Sequence, residues 1–114
     1  MTLGEIAKIL NAEILYGHDL LNREFSSVFC CDLLSDVLAF TGENALLLTG
    51  LTNLQVIYTA NMINAAGVIF VRGKKLPKEV VQLAEELELP IFTTPLLMYE
   101  TCGILYSRGI PGSI

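Results

Sequence analysis

Three short apolar runs, Ala45-Leu46-Leu47-Leu48-Thr49, Val68-Ile69-Phe70-Val71-Arg72 and Ile91-Phe92-Thr93-Thr94, begin 23 residues apart, and each precedes a stretch with helical spacing. A period of that length holds one short strand, a tight loop and about three helical turns, which is what a right-handed crossover between parallel strands requires. The expected fold class is therefore α/β: a three-layer-like domain with a mostly parallel central sheet, built from consecutive βα units at the 23-residue period. With 114 residues the sequence suits one domain over residues 1–114.

Composition narrows the classes. Hydrophobic residues make up 53% and charged residues 17% of the chain, enough apolar surface to fill a core and too little charge for disorder. The longest apolar stretch, Ala65 to Val71, is interrupted by Gly67 and falls well short of the roughly 18 residues a spanning helix needs. It reads as a buried strand, with no membrane partner. No basic leader precedes an apolar run at Met1-Thr2-Leu3-Gly4-Glu5, so a cytoplasmic location is expected. Cys30, Cys31 and Cys102 are odd in number, and the adjacent pair lacks zinc-knuckle spacing. Buried thiols are expected, with no disulfide framework, metal or cofactor.

Thr2 and Glu5 have capping-box spacing, and Leu3, Ile6, Ala7 and Leu10 then share one face of a first helix that packs on the sheet. Ala12 to Leu15 reads as a strand, Tyr16 to Asp19 as a turn, and Glu24 to Cys31 as a second strand. Asp32 is placed to cap a helix over Leu33 to Phe40, and Gly42-Glu43-Asn44 turns the chain into the first repeat. Within the repeats, Thr52 with Gln55 has capping-box spacing, Pro77 suits a first helical turn, and Thr94-Pro95 pairs a cap with a proline. The second repeat helix should end before Pro90 and the last at Gly109, leaving a short polar tail.

The helices differ in charge. Asn53 to Ala66 has no charged residue and Leu96 to Tyr106 only Glu100, whereas Pro77 to Glu88 carries Lys78, Glu79, Glu85, Glu86 and Glu88. A charge-free outer face suits a partner, and a homodimer is expected to use Val56, Tyr58 and Met62, joined by Met98 and Tyr99. A helix covered by the N-terminal segment would show the same composition.

The net charge is −5, yet Arg72, Lys74, Lys75 and Lys78 fall within seven positions after the middle repeat strand. In open parallel sheets ligands bind beyond the carboxyl ends of the strands. That edge collects Thr49, Gly50, Thr52 and Asn53 from one loop, Arg72, Gly73 and Lys74 from the next, and Thr93 and Thr94 from the third. The set suits an anionic small molecule such as a nucleotide, although solvated loops with ordinary turn chemistry would read alike, and no Walker or dinucleotide glycine spacing is present. An acidic chain with one small basic patch is a poor nucleic-acid binder. No catalytic residues are assigned: His18 stands in a turn without a nucleophile partner, and the edge loops carry neither histidine nor carboxylate.

Several stretches together resemble the DRTGG domain family, which is related to the N-terminal domain of HPr kinase/phosphorylase. They are Thr2 to Ala7 leading to Ala12-Glu13-Ile14-Leu15, then Leu21-Asn22-Arg23-Glu24, Leu48-Thr49-Gly50 before a helix, and Leu89 to Pro95. Asn22-Arg23 stands where Asp-Arg is usual, and Thr49-Gly50-Leu51 where Thr-Gly-Gly is usual. The resemblance implies a non-catalytic regulatory or dimerising module, often attached to CBS domains, phosphotransacetylase or pyrophosphatase. A protein partner encoded by a neighbouring gene is the expected target of such a module. The alternative is a pure protein–protein interaction domain with no small-molecule ligand.

Overall fold

Thr2 starts the first helix as its spacing with Glu5 requires. Its hydroxyl accepts the Glu5 amide at 3.2 Å while Glu5 Oε1 accepts the Thr2 amide at 3.1 Å, closing a capping box ahead of α1 (Leu3–Ile9). The bonds from Thr2, its backbone amide first, hold the Glu5 carboxyl below the usual range. Two further first-turn amides, of Leu3 and Gly4, donate to the carbonyls of Arg23 and Leu21. Position 4 is tight, since a Cβ there would lie 3.2 Å from the Leu21 oxygen.

The computed structural model describes residues 1–30 and 32–112. The strand and thiol expectations at Cys31 lie outside the described residues, as does the end of the polar tail. After α1 come β1 (Glu13–Tyr16), a 3₁₀ turn containing His18, β2 (Ser27–Cys30) and α2 (Leu34–Phe40). The repeats follow as β3 (Ala45–Thr49), α3 (Leu54–Met62), β4 (Gly67–Phe70), α4 (Lys78–Glu86), β5 (Ile91–Thr93) and α5 (Met98–Ser107). They form one five-stranded sheet of order β1-β5-β4-β3-β2. The four strands from β2 to β5 run parallel, and β1 closes one edge antiparallel to β5. The three repeat strands are therefore immediate neighbours, paired Leu46 with Gly67 and Val68 with Ile91.

Side-chain alternation splits the core into two layers. Leu47, Val68, Phe70 and Ile91 point to the face covered by α2, α3 and α4, where Val37, Val56, Ile57, Ala60, Val80 and Ala84 meet them. Leu46, Leu48, Ile69 and Phe92 point to the other face, under Leu3, Ile6 and Leu10 of α1 and Leu105 of α5. Both layers are dry, because every one of these strand residues is fully buried, as parallel strands covered on both faces require.

Four helices end in the same way. Asn11, Asn64, Glu88 and Gly109 take left-handed φ angles of 50°, 55°, 54° and 78° just past α1, α3, α4 and α5. The next residue then donates its amide back across the last turn: Ala12 to Ala7, Ala65 to Ala60, Leu89 to Ala84 and Ile110 to Leu105. This is a Schellman closure, each time followed by an apolar residue entering the core or its margin.

The helix starts depart from the sequence reading in three repeats. Asn53, not Thr52, caps α3, its Oδ1 accepting the Val56 amide at 3.2 Å. Pro77 precedes α4 as its cap residue rather than occupying its first turn. The last helix starts after Leu97, so Thr94-Pro95 is no cap; the Thr94 hydroxyl is buried and donates to the Leu10 carbonyl at 2.6 Å. Asp32 does not cap α2 either, because its carboxylate is engaged across the sheet edge.

Candidate functional site

Because β3, β4 and β5 are parallel neighbours, the loops after them open on one edge of the sheet, joined there by the segment after β2. Asp32 organises this edge. Its Oδ1 accepts both the Thr49 hydroxyl and the Gly50 amide at 2.9 Å, and the Thr49 oxygen in turn accepts the Leu51 amide at 3.1 Å. The Gly50 amide does most to hold the Asp32 carboxyl below its usual range; burial opposes it, and Thr49, Arg72 and Lys74 add to it. Lys74 donates from Nζ to the Gly50 carbonyl at 2.8 Å. Arg72 lays its guanidinium over Gly50, where a Cβ would stand 3.2 Å from Nη2.

The β4–α4 loop is bent to reach these groups. Arg72 and Gly73 both have left-handed backbones, with φ of 71° and 60°. Their amides donate to the carbonyls of Leu96 and Thr94 at 2.8 Å each. A non-glycine residue at such a φ costs on the order of 1 kcal/mol, offset here by the bonds that fix the turn.

The expected ligand set is thus divided. Thr49 and Thr94 are fully buried and their hydroxyls are committed to Asp32 and Leu10, so neither offers a group to a ligand. Thr52 and Asn53 line a separate groove of about 450 Å³ between the starts of α3 and α4. Gly50 and Arg72 form the ridge around Asp32. Gly73, Lys74 and Thr93 do come together, in a cleft of about 560 Å³ completed by Asn11, Glu13, Lys75 and Pro95 over a floor of Leu15, Leu76 and Val81. The Thr93 hydroxyl oxygen is buried in the protein with no hydrogen-bond partner.

Sequence reasoning missed Asn11, Glu13 and Asp32. The antiparallel pairing of Glu13 with Thr93 carries the end of α1 and the start of β1 to this edge. Asp32 was legible as a carboxylate directly after a strand, the position from which side chains reach the carboxyl edge. It supplies the carboxylate that the three repeat loops lack.

The family-marking residues sit at opposite ends of the sheet. Thr49-Gly50 is at the carboxyl edge, whereas Arg23 donates from Nη1 to the Ala66 carbonyl, 3.4 Å away, just before β4 begins. Arg23 there borders a polar cleft of about 380 Å³ with Asn44, Asn61 and Asn64.

The surface expected to form an interface also divides. Val56 is fully buried among the core residues beneath α3 and lines no surface. Tyr58 and Met62 are exposed, at 48% and 68%. Met98 packs partly against the α5-side core, while Tyr99 is exposed. Since α3 and α5 cover opposite faces of the sheet, their exposed residues do not make one patch. The thiols depart from expectation too: Cys30 is exposed and Cys102 half-buried. Among the described residues no helix is long and apolar enough to cross a membrane, and no group of three or more His, Cys, Asp or Glu side chains could hold a metal.

The sequence model of the DRTGG domain matches residues 5–107. No curated protein matches the chain. Among solved structures, the chain is similar to the CBS and DRTGG domains of the regulatory region of Clostridium perfringens pyrophosphatase, complexed with its activator diadenosine tetraphosphate. The likeness has a TM-score of 0.74 at 17% identity over 96% of this chain. The chain spans about half of that structure, 47% of its length, and at this identity the likeness carries the fold.

Proposed function

The chain belongs to the DRTGG domain family, and from that premise we propose that residues 1–114 are one non-catalytic regulatory module that senses an anionic nucleotide. The observation that carries the reading is the 560 Å³ cleft at the carboxyl edge, which brings Lys74 and the exposed Lys75 over an apolar floor of Leu15, Leu76 and Val81. Lys75, which is exposed, provides countercharge for phosphate, and Lys74, whose Nζ is held by the Gly50 carbonyl, adds its charge from the rim of the cleft. Glu13 and Asn11 present acceptors for ribose hydroxyls, Thr93 forms part of the wall, and Leu15, Leu76 and Val81 suit the face of a base. The nucleotide activator of the clostridial regulatory region supports this ligand class. Arg72 plays a lesser part, because its charge is turned toward Gly50 and Asp32.

The module acts as a cytoplasmic homodimer through the exposed side of α3 around Tyr58 and Met62, and it regulates a protein partner encoded nearby. Thermal denaturation with ADP, ATP and diadenosine tetraphosphate tests the ligand. A ligand at 100-fold its Kd adds about 2.7 kcal/mol, a rise of roughly 10 °C in Tm. The rise should vanish when Lys74 and Lys75 are both replaced by Ala and largely survive in Arg72→Ala. Its survival without both lysines would place the ligand elsewhere; no rise with any nucleotide, in a chain that still dimerises, would favour the pure interaction module.

A further inference from the structure

The side chains of Cys30 and Cys102, 72 positions apart in sequence, meet with their sulfurs 3.3 Å apart. Cys30 ends β2, the outermost parallel strand, and is exposed; Cys102 lies in the middle of α5 and is half-buried. Around them Val28, Leu105, Tyr106, Ile110 and Pro111 form a small, mainly apolar groove. A distance of 3.3 Å is a non-bonded contact, but it leaves only a small closing movement before a sulfur–sulfur bond could form.

We infer that Cys30 and Cys102 are an oxidation site that closes to an intramolecular disulfide under peroxide. The exposed Cys30 thiolate attacks hydrogen peroxide, cleaving the O–O bond to give a sulfenic acid and hydroxide, which is protonated to water. The Cys102 thiolate then attacks the Cys30 sulfur, forming the S–S bond and expelling a second hydroxide, also protonated to water. Two thiols are oxidised by two electrons and one peroxide is reduced to two waters. Two residues beyond Cys30 in the chain stands Asp32, which holds the Thr49–Gly50 turn. The bond therefore ties the segment that organises the carboxyl edge to α5, on the far side of the sheet from α3.

The test treats the full-length chain with a small molar excess of hydrogen peroxide and measures intact mass and disulfide-linked peptides without reduction. The expected product has the mass of one chain less two hydrogens and links the peptide containing Cys30 to the one containing Cys102. Because Cys31 shares the first peptide, single variants decide the pairing. The product should be lost in Cys30→Ser and in Cys102→Ser and kept in Cys31→Ser. Cross-linking so long a loop should also raise Tm by on the order of 10 °C, reversed by dithiothreitol. A linked product that persists in Cys30→Ser, or peroxide treatment that yields only singly oxidised cysteines or disulfides between two chains, would overturn the inference. Serine at either position is a small change at an exposed or half-buried site, and the reduced Tm of each variant verifies that it folds.

Discussion

Replacing Asp32 should loosen the carboxyl edge by an amount that depends on pH. One oxygen of its carboxylate takes both the Thr49 hydroxyl and the Gly50 amide at 2.9 Å. A hydrogen bond to a charged group contributes about 1.5–3 kcal/mol when shielded, but Asp32 is exposed, and solvent screening reduces that figure substantially. For the pair together, a loss of about 1–2 kcal/mol is expected in Asp32→Ala, and roughly half of that in Asp32→Asn, whose amide oxygen still accepts. The folded carboxyl is held below its usual range, first by the Gly50 amide. A depressed folded pKa contributes stability that is full above the unfolded value near ~3.9 and is lost as pH falls through the folded one. Urea unfolding of the unmodified chain and Asp32→Asn should therefore show a gap at pH 7 that narrows steadily below about pH 4. An equal gap at pH 7 and pH 3, or none at pH 7, would mean that the carboxylate is a bystander at this turn.

Two other outcomes follow from the helix ends and the surface. Glu88 holds a left-handed backbone after α4 at φ 54°, so Glu88→Gly, despite removing a side chain, should raise stability by about 0.5–1 kcal/mol in urea unfolding, and destabilisation would contradict the closure described. Charging the exposed side of α3 with Met62→Glu or Tyr58→Glu should give monomers in sedimentation equilibrium, and a monomeric unmodified chain at high micromolar concentration would remove the dimer altogether.

The 23-residue echo was enough to place β3, β4 and β5 and their parallel direction, because apolar runs buried on both faces leave a strong mark on sequence, while their adjacency came from the pairing itself. The α1 cap was equally visible, since Thr2 and Glu5 need only each other. What escaped was set by distant contacts. Thr94 looks like a helix cap until Leu10, 84 positions away, takes its hydroxyl. Asp32 looks like a cap until Gly50 approaches. Val56 stands in a charge-free helix and reads as surface, but the turn of α3 that carries it faces Leu47 and Val68. At the carboxyl edge, strand direction decided which loops converge, while the bonds inside those loops decided which side chains are taken up. The Thr49 and Thr94 hydroxyls and the Lys74 ammonium were taken up in building the edge, and Lys75 beside them stays exposed.

The antiparallel β1 gives the cleft an unusual wall. Glu13 reaches it from an outer strand of only four residues whose pairing slips between Ile14 and Tyr16. Outer strands with short ladders open locally at little free-energy cost, ahead of the buried strands between them. A molecule in the proposed cleft, between Glu13 and Lys75, would touch both this short outer strand and the repeat loop, so its binding energy would add directly to the cost of peeling β1 away. Amide hydrogen exchange along Glu13–Tyr16 then becomes a gauge of occupancy, slowing as the cleft fills while the amides of β3 and β4 keep their rates.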